Sequence, residues 1–213
     1  MPPAPPLLGL ILAGGAGRRM GGEKPFALLE GRPLVAHAIA RLAPQTGRLG
    51  VNVGAAGTPL AVRLAGLGLP CLTDAPELAG LGPLSGVRTG LAALKPGEWL
   101  LTLPCDLPRA PPDLAARLAA RQAATGAPVV HVAGLRDHPL CAIWSPALLA
   151  PLTAALREAR AEGGLRVMRF LATAGAARLA VGPAEEEAAF ANLNDPAALA
   201  RVQRLTGGED DSG

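Results

Sequence analysis

The sequence predicts an α/β protein built on a mostly parallel sheet with helices on both faces. Three observations predict it. Strand-sized apolar runs alternate with helical patterns along the whole chain. The first apolar run stops at glycines that open a long loop carrying basic residues. A later run ends in Pro104-Cys105-Asp106-Leu107-Pro108, a carboxylate set between prolines, and open α/β sheets gather their ligands beyond such strand ends.

Each element has its own signal. Residues 7–13 form a continuous apolar run, read as a buried strand. Leu34, Val35, Ala38, Ile39 and Leu42 recur at helical spacing, with Pro33 suited to the first helical position. A strand near 49–53, a short helix near 59–65 and a strand near 70–73 follow. Pro83 opens a helix to about Leu94, and 99–103 is the next strand. Pro111 or Pro112 starts a helix to about Ala123, ahead of a strand at 128–132. Residues 138–144 read as a strand, after which Ser145-Pro146 supply an N-cap and first position for a helix to about Ala159. A helix near 165–172, a strand near 177–181 and a final helix at 195–205 complete the order. Residues 1–206 are expected to form one domain, and the acidic, glycine-rich stretch 207–213 a disordered tail.

Composition narrows the class of function. Half of the chain is apolar but only 2% is aromatic, so aliphatic residues must fill the core. The net charge of +3 is small and the basic residues are scattered, which argues against a nucleic-acid face and suits a small anionic substrate. Cys71, Cys105 and Cys141 lack C-x-x-C spacing and read as reduced core thiols, not a disulfide or zinc site. The proline-rich start has no basic n-region, and no apolar run approaches bilayer length. The expectation is a cytoplasmic protein without membrane or nucleic-acid partners. Because the chain favours Arg, its two lysines, Lys24 and Lys95, stand out, as do its three asparagines, Asn52, Asn192 and Asn194.

The loop after the first strand reads Leu12-Ala13-Gly14-Gly15-Ala16-Gly17-Arg18-Arg19-Met20-Gly21-Gly22-Glu23-Lys24. Glycines let backbone N–H groups approach a polyphosphate, and Arg18, Arg19 and Lys24 add the positive charge phosphoryl chemistry needs. Two commoner motifs fail here. The dinucleotide pattern needs glycine where Met20 stands. In a P-loop the lysine would follow Gly22 directly, but Glu23 intervenes and Pro25 follows Lys24. Pro25 and Gly31-Arg32-Pro33 also delay the helix, so the loop is long, and loops of that length are usually functional or disordered. Asp106 suits a Mg²⁺ site of one or two carboxylates completed by phosphates, although a lone turn Asp would more simply cap the next helix. Asn52 and Asp74, at the second and third strand ends, could hydrogen-bond a base or ribose, but both types are ordinary turn formers. In Asn192-Leu193-Asn194-Asp195-Pro196 a helix N-cap accounts for Asn194 or Asp195 and leaves Asn192 unexplained. His37 and His131 read as packing or surface residues, and Arg136-Asp137-His138-Pro139 as a polar turn.

Together these stretches resemble the molybdenum cofactor guanylyltransferase (MobA) family over nearly the whole chain. The resemblance rests on Leu12-Ala13-Gly14-Gly15 with Arg19-Met20-Gly21-Gly22 and Lys24, on Gly82-Pro83-Leu84-x-Gly86, and on Pro104-Cys105-Asp106-x-Pro108. It continues through Arg136-Asp137-His138-Pro139, Arg166-Val167-Met168-x-Phe170 and Phe190-x-Asn192-x-Asn194-x-Pro196. It implies a three-layer, Rossmann-like nucleotidyltransferase fold that moves GMP from GTP to molybdopterin with Mg²⁺. By resemblance, Leu12, Ala13, Gly14, Gly15 and Lys24 contact GTP, Asn52 and Asp74 lie on its base or ribose side, and Asp106 holds the metal. Lys24, Asp106 and Arg19 would be catalytic, with Gly22, Arg166, Asn192 and Asn194 toward the molybdopterin. Molybdoenzymes and other cofactor-biosynthesis proteins are the partners such an enzyme would have. The family usually reads G-G-x-D-K, whereas Gly22-Glu23-Lys24 is one residue shorter and carries Glu in place of Asp. Relatives using CTP tend to read Ala-Ala-Gly where this chain has Ala13-Gly14-Gly15, which favours GTP. The competing readings are a transferase with CTP or another phosphate acceptor, and a nucleotide-binding module without catalysis.

Overall fold

The computed structural model describes residues 5–14 and 24–190. The final helix expected at 195–205 and the tail at 207–213 lie outside them. In chain order the strands are β1 (Leu7–Leu12), β2 (Leu28–Leu29), β3 (Arg32–Pro33), β4 (Arg48–Gly54), β5 (Cys71–Thr73), β6 (Trp99–Pro104), β7 (Val129–Ala133), β8 (Asp137–Trp144) and β9 (Ala177–Ala180). The helices are α1 (Leu34–Leu42), α2 (Pro59–Ala65), α3 (Pro83–Ala92), α4 (Leu114–Thr125), α5 (Leu149–Glu158), α6 (Val167–Thr173) and α7 (Pro183–Ala189).

Seven strands form one sheet in the order β5-β4-β1-β6-β8-β7-β9, and β2 pairs only with β3. β8 is antiparallel to both neighbours, while every other pairing in the large sheet is parallel. The C-terminal ends of the six other strands therefore share one edge with the N-terminal end of β8, and this edge carries the candidate site.

Alternation along the strands splits the core into two layers. Leu7 and Ile11 of β1 face a cluster with residues of α1, α2 and α4, whereas Leu8 and Leu10 face one with residues of α3, α5 and α6. Leu10, Ile11, Leu100 and Leu101 have no exposed surface, each worth on the order of 1.5–3 kcal/mol in burial. Trp144 Nε1 donates to Thr102 Oγ1 at 2.8 Å, and that hydroxyl donates to the Leu140 carbonyl at 2.7 Å, which joins β8 to β6.

Where boundaries differ from expectation, local chemistry explains the difference. Pro33 sits before α1 rather than inside it, because it is already paired with Leu28 in the small hairpin. That hairpin turns through Glu30 and Gly31, both at positive φ, and with the 3₁₀ turn Lys24–Phe26 it supplies the delay expected between loop and helix. α4 begins only at Leu114, beyond both prolines. Ser145 caps as expected, its hydroxyl accepting from the Ala147 amide at 3.3 Å, but the first turn is 3₁₀ and α5 starts at Leu149. The expected polar turn at 136–139 is a correction: the turn is Gly134 to Arg136, and Asp137 and His138 already belong to β8. α7 was not expected, since its Pro-Ala-Glu-Glu-Glu-Ala-Ala sequence has no apolar period. No helix among the described residues is long and apolar enough to cross a membrane.

Candidate active site

A cleft of about 600 Å³ opens at the C-terminal ends of β1, β4, β5 and β6. Leu12, Ala13, Gly14, Lys24, Asn52, Asp74 and Asp106, seven of the residues singled out from the sequence, all line it.

Its floor is built by close backbone contact. The Ala13 amide donates to the Asn52 carbonyl at 3.1 Å and the Cys105 amide to the Leu12 carbonyl at 3.2 Å, so the parallel ladder runs into the cleft. Gly14 then lies flat on the end of β4. A Cβ added there would stand 2.2 Å from the Gly54 nitrogen and 2.6 Å from the Val53 carbonyl carbon, so the position accepts only glycine.

Lys24 and Asp106 meet across the mouth. Lys24 Nζ donates to Asp106 Oδ2 at 2.5 Å, and the two side chains are 18% and 13% exposed. Both ends are anchored. Lys24 opens the 3₁₀ turn in which Pro25 is buried, and the guanidinium of Arg63 on α2 lies 4.0 Å from the centre of the Phe26 ring. Asp106 stands between buried Cys105 and Leu107, in a turn closed by the Leu107 amide on the Pro104 carbonyl at 3.1 Å. Arg109 also donates to Glu30 at 3.1 Å, tying the Asp106 loop to the small hairpin. The neighbouring Cys105 thiol is pushed up to about 12, first by burial and then by the negative charge of Asp106, so it is no nucleophile near neutral pH.

The far wall is a buried polar network. Asn52 lies inside β4 rather than after it, a correction to the sequence boundary, and is 4% exposed. Its amide donates to Asp74 Oδ1 at 2.8 Å and to the Leu72 carbonyl at 3.2 Å. Asp74 follows β5 directly, its own amide donating to the Gly54 carbonyl at 2.8 Å. Thr89 of α3 donates to Asp74 Oδ1 at 2.9 Å. The helix comes this close because Gly86 faces Asn52, where an added Cβ would stand 2.5 Å from Asn52 Oδ1. That contact gives physical content to Gly82-Pro83-Leu84-x-Gly86, in which Gly82 precedes α3 and Pro83 takes its first position.

The other half of the same edge is organised differently. Glu186 of α7, 8% exposed, accepts from the Leu135 and Arg136 amides at 2.5 and 3.0 Å and sits 2.9 Å from His138 Nε2. Burial alone would push its carboxyl up, but those hydrogen bonds outweigh burial and hold it below its ordinary value. The His138 ring lies 5.4 Å from that of Phe190. His131 is buried with Nε2 3.1 Å from Asp137 Oδ1, and burial holds its imidazole below the ordinary range against the pull of that carboxylate. His37, within α1, lies with Nε2 2.8 Å from the Leu29 carbonyl oxygen.

Arg166 is exposed at the start of α6, which packs on β8, and is not among the residues of the cleft wall. Gly15, Arg19, Gly22, Asn192 and Asn194 lie outside the described residues. The sequence reading missed Gly54, Thr89 and Glu186. Gly54 carried a signal, a glycine closing a strand beside a glycine loop; Thr89 and Glu186 matter only through partners brought from elsewhere in the chain.

Comparison with known proteins agrees with this geometry. Residues 9–178 match the family model of the MobA-like NTP transferase domain. A protein of Cereibacter sphaeroides named molybdenum cofactor guanylyltransferase is 48% identical over 203 residues, covering 93% of this chain and 96% of that protein. One of the same name from Acidiphilium cryptum is 43% identical over 196 residues, covering 91% and 92%. Among solved structures, molybdopterin-guanine dinucleotide biosynthesis protein A of Archaeoglobus fulgidus superposes with a TM-score of 0.77 at 19% identity, covering 94% of this chain and 98% of that one. CMP:2-keto-3-deoxy-manno-octonic acid synthetase complexed with CTP superposes at 0.70 and 14% identity, covering 95% and 98%. These structural likenesses establish a nucleotidyltransferase fold, and the family model and sequence relatives establish that the chain belongs to the molybdenum cofactor guanylyltransferase (MobA) family.

Proposed function

We propose that the chain transfers GMP from GTP to molybdopterin and releases pyrophosphate. The observation that carries this reading is the Lys24–Asp106 pair, which joins the end of the glycine-rich loop to the carboxylate that follows β6 at the mouth of the cleft. In the proposed reaction a terminal phosphate oxygen of molybdopterin attacks the α-phosphorus of GTP. That oxygen is already ionised near neutral pH, so no general base is required and none is assigned. Catalysis rests on positioning and charge neutralisation.

Mg²⁺ fits the donor set. The described residues contain no group of three or more His, Cys, Asp or Glu able to hold a metal, and Mg²⁺ is commonly held by one or two carboxylates with substrate phosphates completing its shell. Asp106 would hold it. When bound, the ion supplies charge neutralisation on the triphosphate. Lys24, beside Asp106 at the mouth of the cleft, would offer its ammonium to the phosphates. The backbone of Leu12, Ala13 and Gly14 lies under the nucleotide, with Gly15 next in the chain, and Asn52 and Asp74 stand on its base or ribose side. Arg19 is assigned to catalysis, and Gly22, Arg166, Asn192 and Asn194 to the molybdopterin side. Residues 1–206 form the single catalytic domain, acting in the cytoplasm, and molybdoenzymes or other cofactor-biosynthesis proteins take the product.

The test measures thermal shift and pyrophosphate release for the full chain with GTP, CTP and ATP, each with Mg²⁺ and molybdopterin. Stabilisation and turnover are expected with GTP. Turnover with CTP alone would overturn the guanine assignment, and GTP binding without release in the presence of acceptor would point to a non-catalytic module.

A further inference from the structure

Asp74 stands on the cleft wall with only half of its carboxylate engaged. Oδ1 accepts from both Asn52 Nδ2 and Thr89 Oγ1, at 2.8 and 2.9 Å, while no described residue hydrogen-bonds Oδ2. The residue is 9% exposed. Two donors on one oxygen fix the rotation of the carboxylate group and leave the other oxygen as an acceptor. Among the described residues the buried side-chain polar atom without a partner is His131 Nδ1, not Asp74 Oδ2; Oδ2 therefore keeps access to solvent, where a donor from a ligand in the cleft can reach it.

Thr89 is a polar residue on the buried face of α3, among Leu84, Val87 and Leu91, and is itself 7% exposed. Its hydroxyl lies 2.9 Å from Asp74 Oδ1 and 3.0 Å from the Ser85 carbonyl oxygen, and its single proton serves one of them at a time. The carboxylate is the stronger acceptor. β-Branched Thr is a poor helix former, so the hydroxyl contributes something that packing alone does not require.

We infer that Thr89 is a specificity-determining positioning residue. With Asn52 it locks Asp74 so that Oδ2 accepts a hydrogen bond from the nucleoside of the bound nucleotide. The inference rests on the GTP reading above. Guanosine offers such donors as the exocyclic 2-amino group of the base and the 2′ and 3′ hydroxyls of the ribose, and ITP, 2′-deoxyGTP and 3′-deoxyGTP each lack one of them.

The test is a set of dissociation constants for GTP, ITP, 2′-deoxyGTP and 3′-deoxyGTP by calorimetry, in wild type, Thr89→Val and Thr89→Ser. The wild type is expected to bind GTP about tenfold tighter than one of the analogues. Thr89→Val should weaken GTP about tenfold and bring it level with that analogue, whose own affinity stays within twofold. Thr89→Ser, which keeps the hydroxyl, should bind like wild type. Equal weakening of GTP and all analogues, or failure of Thr89→Ser to retain affinity, would mark Thr89 as a packing residue and overturn the inference. A wild type that binds GTP without discriminating any analogue overturns it as well, and Thr89→Ala serves where valine prevents folding. A wild type that binds no GTP sinks the functional reading and this inference together; GTP binding unaffected in Thr89→Val sinks the inference alone.

Discussion

Asp74 and Glu186 are both carboxylates, both less than 10% exposed and both at the strand-end edge of one sheet, yet they are used in opposite ways. Glu186 has both oxygens engaged: Oε1 by the Arg136 amide and the His138 ring, Oε2 by the Leu135 amide. It closes a clasp between α7 and the β7–β8 turn, and Arg117 strengthens the hold through its ion pair with the adjacent Glu185. Asp74 gives both of its internal hydrogen bonds to one oxygen and none to the other. The half of the edge around β1, β4, β5 and β6 therefore has polar groups to spend on a ligand. In the half around β7, β8 and β9 the buried carboxylate of Glu186 is engaged at both oxygens, although Nδ1 of buried His131 in β7 has no partner there. Burial and charge do not separate a carboxylate proposed to meet a ligand from a structural one here; the accounting of its lone pairs does.

The largest expected effect lies on the side that faces the cleft. Asp106→Ala removes the proposed metal ligand and the partner of Lys24. It is expected to cut pyrophosphate release by about 10³-fold or more, while the far-UV spectrum and cooperative unfolding persist. Turnover near the wild-type rate would end the assignment of Asp106. Next is Gly14→Ala, which drives a methyl into the backbone of Val53 and Gly54. Overpacking of this kind costs about 1–3 kcal/mol, and denaturant unfolding should show it together with a loss of GTP affinity. Full GTP affinity in a destabilised Gly14→Ala protein would mean that the cleft floor tolerates displacement and that nucleotide contact lies elsewhere.

How much of this was legible in the sequence differs between the same two regions. The fold class and strand order along the chain were, because alternating apolar runs report burial directly. The cleft was also legible at Gly14, Lys24, Asn52, Asp74 and Asp106, whose residue types are unusual for their positions or punctuate strand ends. Thr89 was not, since a threonine inside a helical pattern carries no mark until Asp74 is placed beside it. Glu186 was hidden for the same reason, one of three consecutive glutamates whose partners stand 48 to 51 residues away. Local pattern reveals elements and chain ends; pairings across the fold become visible only when the sheet brings them together.

Glu186→Gln tests the self-contained half of the comparison. The folded Glu186 carboxyl lies below its ordinary value of 4.5, so its contribution to stability is present above that value and is lost as pH falls through the folded pKa. The wild type should lose stability between pH 5 and 3 more steeply than Glu186→Gln, whose amide does not titrate, and the variant should be less stable at pH 7. Its GTP dissociation constant is expected to stay within about twofold of wild type. A large loss of GTP affinity with stability intact would erase the distinction between the two halves.

The smallest effect concerns thiols, and it sharpens the picture of the cleft as a place of positioning rather than covalent chemistry. Cys105 lies on the cleft wall but is 6% exposed, with its thiol pushed up to about 12. At pH 8 only about one part in 10⁴ would be thiolate. Cys141 is fully buried in the other half, and burial raises its thiol too. Cys71, in β5, is only partly buried, and burial raises it as well. Iodoacetamide at pH 8 is therefore expected to label Cys71 first in the native protein, with Cys105 and Cys141 reacting only on unfolding. Mass spectrometry of peptides after timed labelling reads this directly. Rapid modification of Cys105, slowed by GTP, would show instead that the cleft floor opens to solvent and that its thiol belongs in the account of the site.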